Sequence, residues 1–434
     1  MSAIEKLAAF VATFRPDYRL MEEVRLHVAD TLCAWIAATR TEEGKLLTRY
    51  RRTGTTPTDR IAVNCAMARL SEVDDIHLAS MITPGSIVVP AAMTMASVMP
   101  HLDTVDVASA IVGGYETMIR FGAAIDGPSV LYRGIWPTYF AAPLGVAAVA
   151  SRLMQLDTRD TLQALATAVT MMTPGTGHHA TQSTARWFVV GQAAARGLTA
   201  ALAARSGFTS DPRLIEGEFM KGIYGLTPTV AYIEKGFGEP ALSQVSFKPW
   251  CAARQTMAAT QALKEILEEG VAASEIVGIE VSVLPPHHKM IDHGVTSGDR
   301  ASFLTSLHYH MAAAALAPEA AYVLGAAEHL PREFADFMSL IKVSSAAGLP
   351  PEYPKAWPAK IVVTTTNGRH ERSVTHVPGD PARPFGEADL RKKFHKLVAS
   401  VPEDQVDDMF TRALEALDEP SGLPRDIEMI DAAR

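Results

Sequence analysis

KIVVTTTNGRHERSVTHV, residues 360–377, is the stretch that decides the fold class. Two runs rich in β-branched residues flank Asn367-Gly368, a dipeptide that favours a two-residue hairpin loop. Upstream, EIVGIEVSV (275–283) alternates apolar and polar residues as a half-buried strand does, and IKVSS (341–345) predicts a further strand. Helical spacing over 252–269 and 300–316 stands between them, which makes this region a small α+β domain.

Outside that region the periodicity is helical. Apolar residues recur at three and four in LMEEVRLHVADTLCAWIAATR (20–40), TVDVASAIVGGYETMIRFGAAI (104–125), RDTLQALATAVTMM (159–172) and VVGQAAARGLTAALAARSG (189–207). The last of these ends on a glycine suited to a C-cap. No strand is predicted before residue 240. After residue 385, GEADLRKKFHKLVASV (386–401) and DQVDDMFTRALEAL (404–417) return to helix. The expected fold is mainly α with a smaller α+β domain. An all-helical domain forms from both chain ends, residues 1–244 with 384–434, and the α+β part, 245–383, is inserted between them.

Composition narrows the function classes. The chain has 434 residues, nearly half of them apolar, and a net charge of −8 without a basic run. That balance offers no electrostatic footprint for nucleic acid or an anionic membrane. Cys33, Cys65 and Cys251 stand far apart and form no C-x-x-C pair, which disfavours a disulfide scaffold or a thiolate zinc site. MSAIEKLAAFVATF (1–14) has too short an apolar run for a signal peptide, and Arg, Asp or His breaks the other apolar runs before eighteen residues. The expected location is the cytoplasm.

Several motifs invite a chemical reading. GTGHHA (175–180) fits G-x-G-x-x-A, but a helical pattern precedes it where a dinucleotide site needs a strand. His178-His179, His287-His288 and His308-x-His310 lack the i,i+4 spacing that puts two ligands on one helix face, so no metal site is predicted. No G-x-S-x-G elbow and no Walker loop occurs. Neither a metal nor a cofactor is expected.

Five other stretches carry polar residues inside apolar surroundings. They are SEVDDIHLASMITPGS (71–86), RGIWPTYFAAPLGVAAVAS (133–151), STARWFVVGQAAARG (183–197), FKPWCAARQTM (247–257) and RASFLTSLHYHMAAAAL (300–316). Together with GYETMIR (114–120), LIEGEFM (214–220) and the late Lys393-Phe394, their order and separations resemble the MmgE/PrpD superfamily. Its known activities include 2-methylcitrate dehydratase, cis-aconitate decarboxylase and iminodisuccinate epimerase.

The resemblance implies a helical domain, an α+β lid, a cleft between them and a homodimer. It also assigns candidate residues. Glu72 stands where the family's Asp-Phe-Asp-Asp block opens, followed by Asp74 and Asp75, and Ile76 replaces the threonine that comes next. Thr83 takes the place of the histidine before the Pro-Gly/Ser turn, while His77 follows the acidic pair directly. Trp136 replaces the histidine of the Trp-His-Pro turn, and Arg186 replaces a lysine. The lid lysine and tyrosine are kept as Lys248 and Tyr309, and Arg254 and Gln255 stand where another family histidine would lie.

The family reactions make or quench a carbanion next to a carboxylate, which needs a proton-moving group and cations for the developing charge. His77, Asp75, Lys248 and Tyr309 are the candidate catalytic residues. An imidazole titrates near neutral pH, so His77 suits acid/base work with Asp74 or Asp75 orienting it. Glu72, Asp74, Thr83, Trp136, Arg186 and Arg254 are the candidate substrate-binding residues, Arg186 and Lys248 holding a carboxylate. Met171, Met172 and Trp187 offer further apolar lining. The expected function is a cofactor-independent lyase, dehydratase-like, or an isomerase, acting on a small carboxylic acid. The alternative is a non-catalytic relative that binds a metabolite or only dimerises.

Overall fold

The structure is a computed structural model that describes residues 1–51, 53–174, 183–325, 327 and 329–433. It is mainly helical with one four-stranded mixed sheet. The described chain falls into two compact units. One takes the chain up to Ser246 and again from Gly386 onward; the other takes Phe247–Phe385.

The first unit is built on long helices, including Tyr18–Ala38, Pro57–Leu70, Gly85–Ala96, Thr104–Ala124, Pro137–Leu153 and Ala185–Arg205. Their starts are written in the sequence. Asp17, Asp103 and Asp157 accept the backbone N–H three residues on, and Thr56 forms a capping box with Asp59. Each such cap contributes about 1 kcal/mol. Ala185–Arg205 packs on Pro137–Leu153 and Pro57–Leu70. A Cβ at Gly191 would come 1.9 Å from the Ala62 carbonyl, and one at Gly197 2.4 Å from that of Pro143. Only glycine permits backbones to approach this closely. From the far end of the sequence, Glu387–Leu397 and Glu403–Glu415 pack on Tyr18–Ala38.

The second unit holds strands β1 (Ile276–Val283), β2 (Ile341–Ser345), β3 (Ala359–Thr365) and β4 (Gly368–Val374) in the order β2-β1-β3-β4. The β1–β2 pair is parallel and the other two are antiparallel. In β3, Ala359, Ile361, Val363 and Thr365 are buried in alternation, and the helix Arg254–Glu268 packs on β3 and β4. A register shift between Ile276 and Gly278 leaves Val277 outward.

Two local expectations are corrected. Thr365 pairs with Gly368, so the hairpin loop is Thr366-Asn367, one residue before the dipeptide that signalled it. Neither loop residue has positive φ. The Thr365 hydroxyl accepts the Asn367 N–H, and the Asn367 side chain donates to Glu275, which holds the turn by side chains instead. The segment 300–316 is two helices, Arg300–Thr305 and Leu307–Leu316. Ser306 breaks it at ψ 111°, its hydroxyl accepting the Tyr309 N–H and donating to the His293 carbonyl. A serine that satisfies backbone groups locally competes with helix continuation. No helix among the described residues is long and apolar enough to cross a membrane. Cys33, Cys65 and Cys251 are buried and form no disulfide.

Candidate active site

The helix Pro57–Leu70 ends at Ser71, and Glu72 turns the chain with φ 56°. Beyond it the backbone is pinned twice. Ile76 and Ser246 exchange hydrogen bonds of 2.9 and 2.8 Å, and the His77 N–H donates to the Ile82 carbonyl at 2.7 Å. The small loop between His77 and Ile82 passes through Met81 in the left-handed region before Gly85 starts the next helix. The stretch 71–86 is therefore a buried connection packed with polar side chains, and its acids are nearly inaccessible.

Asp75 is the hub of that connection. Its carboxylate accepts from the Gly85 N–H at 2.8 Å, from His27 Nδ1 at 2.8 Å and from the Tyr115 hydroxyl at 2.6 Å. Burial and the neighbouring Asp75 charge push the Tyr115 phenol well above its ordinary range, so it stays a donor. A Cβ at Gly85 would sit 2.7 Å from the carboxylate. The next helix can begin here because glycine lets its first N–H reach the acid. Nearby, Lys393 donates to Asp30 at 2.6 Å and to the Val73 carbonyl at 3.0 Å, tying the late helix Glu387–Leu397 to the acidic stretch.

Glu72 and Asp74 face two arginines. Arg69 Nη1 lies 2.8 Å from Glu72 and 3.2 Å from Asp74, and Arg186 Nη2 lies 3.3 Å from Glu72. Burial works against the Arg69 cation, but Asp74 and Glu72 together outweigh it and raise its pKa. The Arg186 guanidinium carbon lies over two indoles, 4.5 Å from the centroid of the Trp136 ring and 4.3 Å from that of Trp187. Its buried Nε–H has no hydrogen-bond partner among the described residues. Trp136 is half-buried at the start of Pro137–Leu153, its own N–H held by the Pro174 carbonyl. Thr83 closes on Thr138 of the same helix, hydroxyl to hydroxyl at 3.0 Å.

His77 is half-buried and meets Ser80 at Nδ1. The Ser80 N–H donates to Nδ1 at 3.2 Å, with the Ser80 hydroxyl at 2.8 Å. A backbone N–H aimed at Nδ1 makes that nitrogen an acceptor, which leaves the proton of the neutral ring on Nε2.

The other three expected residues lie in the second unit. Lys248 is 2% exposed, in a segment that Phe247 anchors by donating to the Gly379 carbonyl. Arg254 is equally buried and pairs with Asp380, Nη2 reaching the two carboxylate oxygens at 2.9 and 2.7 Å. Beside them, burial and then the Arg254 charge pull the His287 pKa down to about 3. Tyr309 packs against Phe303 and Phe334, and burial, then the Cys251 thiol, raise its phenol pKa.

The histidine pairs separate. His308 bonds Met338 O through Nδ1 and Asp292 through Nε2, whereas His310 donates to the Leu304 carbonyl. His178-His179 and the rest of GTGHHA lie outside the described residues. Among the described residues, no group of three or more His, Cys, Asp or Glu is placed to hold a metal.

Sequence reasoning missed Arg69, which lies in none of the quoted stretches, and gave no role to His27, Asp30, Ser80, Tyr115 and Lys393, which sat inside them. GYETMIR also supplies Glu116 and Arg120, 2.5 Å apart; Arg120 donates to the Gly236 carbonyl at 2.7 Å and Glu116 accepts the Ala241 N–H.

Comparison with known protein families gives two matches. A family model of the MmgE/PrpD N-terminal domain matches residues 5–227, and one of the MmgE/PrpD C-terminal domain matches residues 250–419. No curated protein matches the chain.

Proposed function

Because the chain belongs to the MmgE/PrpD family, whose members are generally enzymes such as dehydratases, we propose that it is a cofactor-independent lyase or isomerase for a small carboxylic acid. The match of both family models carries the reaction class. The side chains supply a consistent set of roles.

A proton next to a carboxylate becomes acidic when the enolate charge is held. Arg186, whose guanidinium lies over the Trp136 and Trp187 rings, receives the substrate carboxylate at the Nε–H that has no partner among the described residues. Its position is fixed by Glu72, which Arg69 fixes in turn. Lys248 supplies the proton acceptor or a point charge against the enolate. Tyr309, whose raised pKa keeps it protonated, returns a proton to carbon or to the leaving group. His77 acts at Nε2 as a donor, its Nδ1 being occupied by Ser80. Asp75 is a positioning carboxylate that anchors the loop bearing His77 and Thr83.

In elimination the base takes the proton next to the carboxylate, the C–H electrons form the double bond, and the hydroxyl leaves as water with a proton from the acid. In epimerisation a proton returns to the opposite face. Incubation with a panel of 3-hydroxy acids, monitored for the absorbance of a conjugated acid, tests elimination. Product from at least one acid is expected, and activity with none refutes the dehydratase reading.

A further inference from the structure

A small cavity lies inside the second unit, beside the helix Leu307–Leu316. Its volume is about 10 Å³, and its lining includes Cys251, Arg300, Phe303, Leu304, Tyr309 and His310. A site for one water needs roughly 10–15 Å³ and about two to four polar partners.

His310 offers the first partner. It is 2% exposed, and its Nε2–H donates at 3.2 Å to the Leu304 carbonyl, which also takes the Ala253 N–H. Burial pulls the His310 pKa down to about 4, so the ring is neutral at neutral pH. A neutral imidazole that donates at Nε2 can only accept at Nδ1. That Nδ1 is buried without a hydrogen-bond partner among the described residues, and a buried acceptor left so is costly.

Tyr309 offers the second. Its ring centroid stands 5.4 Å from that of His310. The Cys251 thiol, which lines the same cavity, bears on the Tyr309 phenol, so the hydroxyl end of the ring lies toward that wall. Arg300 adds a cation to the lining, its Nε–H held by the Leu324 carbonyl.

We infer that this cavity is a water site joining His310 to Tyr309, and that His310 is a positioning residue for the phenol. The water gives one hydrogen to Nδ1, which fixes it, and the other to the Tyr309 oxygen. The phenolic proton then stays available for transfer, and the water holds the phenolate once that proton has gone. The water site rests on the cavity; its catalytic use rests on the acid role that the proposed function gives Tyr309.

Two measurements test it in wild type, His310→Leu and His310→Asn, each first checked by thermal melting. A crystal structure that resolves ordered water should show one water within hydrogen-bond reach of both His310 Nδ1 and the Tyr309 oxygen. Tyr309→3,5-difluorotyrosine brings the phenol into a convenient range for titration by fluorine NMR. In His310→Leu the phenolate loses its fixed hydrogen bond and should form about tenfold less readily. His310→Asn, whose side-chain oxygen stands in for Nδ1, should restore most of that loss. A cavity filled by side chains, a water bonded to only one of the two atoms, or a phenol unmoved in His310→Leu overturns the inference. Neither readout needs turnover, so inactivity toward every acid refutes the proposed function and leaves the water site standing.

Discussion

Asp75→Ala removes the acceptor shared by three buried donors: the Gly85 N–H, His27 and Tyr115. A hydrogen bond to a charged partner contributes about 1.5–3 kcal/mol, and a buried donor left alone costs a similar amount. The three donors share one carboxylate, so their losses do not add. A total near 4 kcal/mol is expected, within the range for breaking a buried charged network. Tyr115→Phe takes away one donor and leaves the carboxylate two others, so its cost is about 1.5–2 kcal/mol. Urea unfolding followed by circular dichroism gives both values. Hydrogen exchange at the Gly85 amide reports the helix start directly and should accelerate strongly in Asp75→Ala. A loss under about 1 kcal/mol for Asp75→Ala, or an unchanged Gly85 amide, would refute the hub assigned to this residue.

Three further outcomes follow from other contacts. Lys393→Met strands Asp30, whose pKa is already raised by burial despite Lys393, and should cost about 3–5 kcal/mol; adding Asp30→Asn should recover part of it in the same urea assay. His287 has a folded pKa of about 3 against 6.5 when exposed, so its unfolded form binds the proton first as pH falls. Its contribution is complete above pH 6.5 and is lost toward pH 3, at roughly 1.4 kcal/mol per pH unit. His287→Phe should flatten the stability profile between pH 6 and 4.5, and an unchanged slope there contradicts the assignment. Nitrogen-15 NMR of His77 above its titration should show the proton on Nε2; a protonated Nδ1 would contradict the Ser80 contact.

Much of the architecture is legible because helices announce themselves locally. Apolar spacing and capping aspartates mark the long helices at Tyr18–Ala38, Thr104–Ala124 and Thr158–Thr170. The α+β region is equally plain, since β1 and β3 alternate as half-buried strands must. Fine geometry is less visible. Ser306 breaks a helix that its apolar neighbours would continue, through a bond to His293 thirteen residues away. Thr365 shifts the hairpin loop by one residue for a similar reason. At the candidate site, the acidic stretch stands out by composition, but its partners come from distant positions. Arg69 and Lys393 look in sequence like solvated charges, yet each is buried against an acid. Asp75 and His77 are two residues apart and go to different partners, His27 and Ser80, which spacing alone does not reveal.

The most direct test of the central claim is deuterium uptake at the carbon beside the carboxylate, followed by NMR in D₂O over hydroxy, unsaturated and branched carboxylic acids. Wild type should exchange that proton in at least one acid, and Lys248→Ala and Arg186→Gln should each slow the exchange by about a hundredfold or more. Exchange in none of the acids, or exchange indifferent to both substitutions, would contradict it.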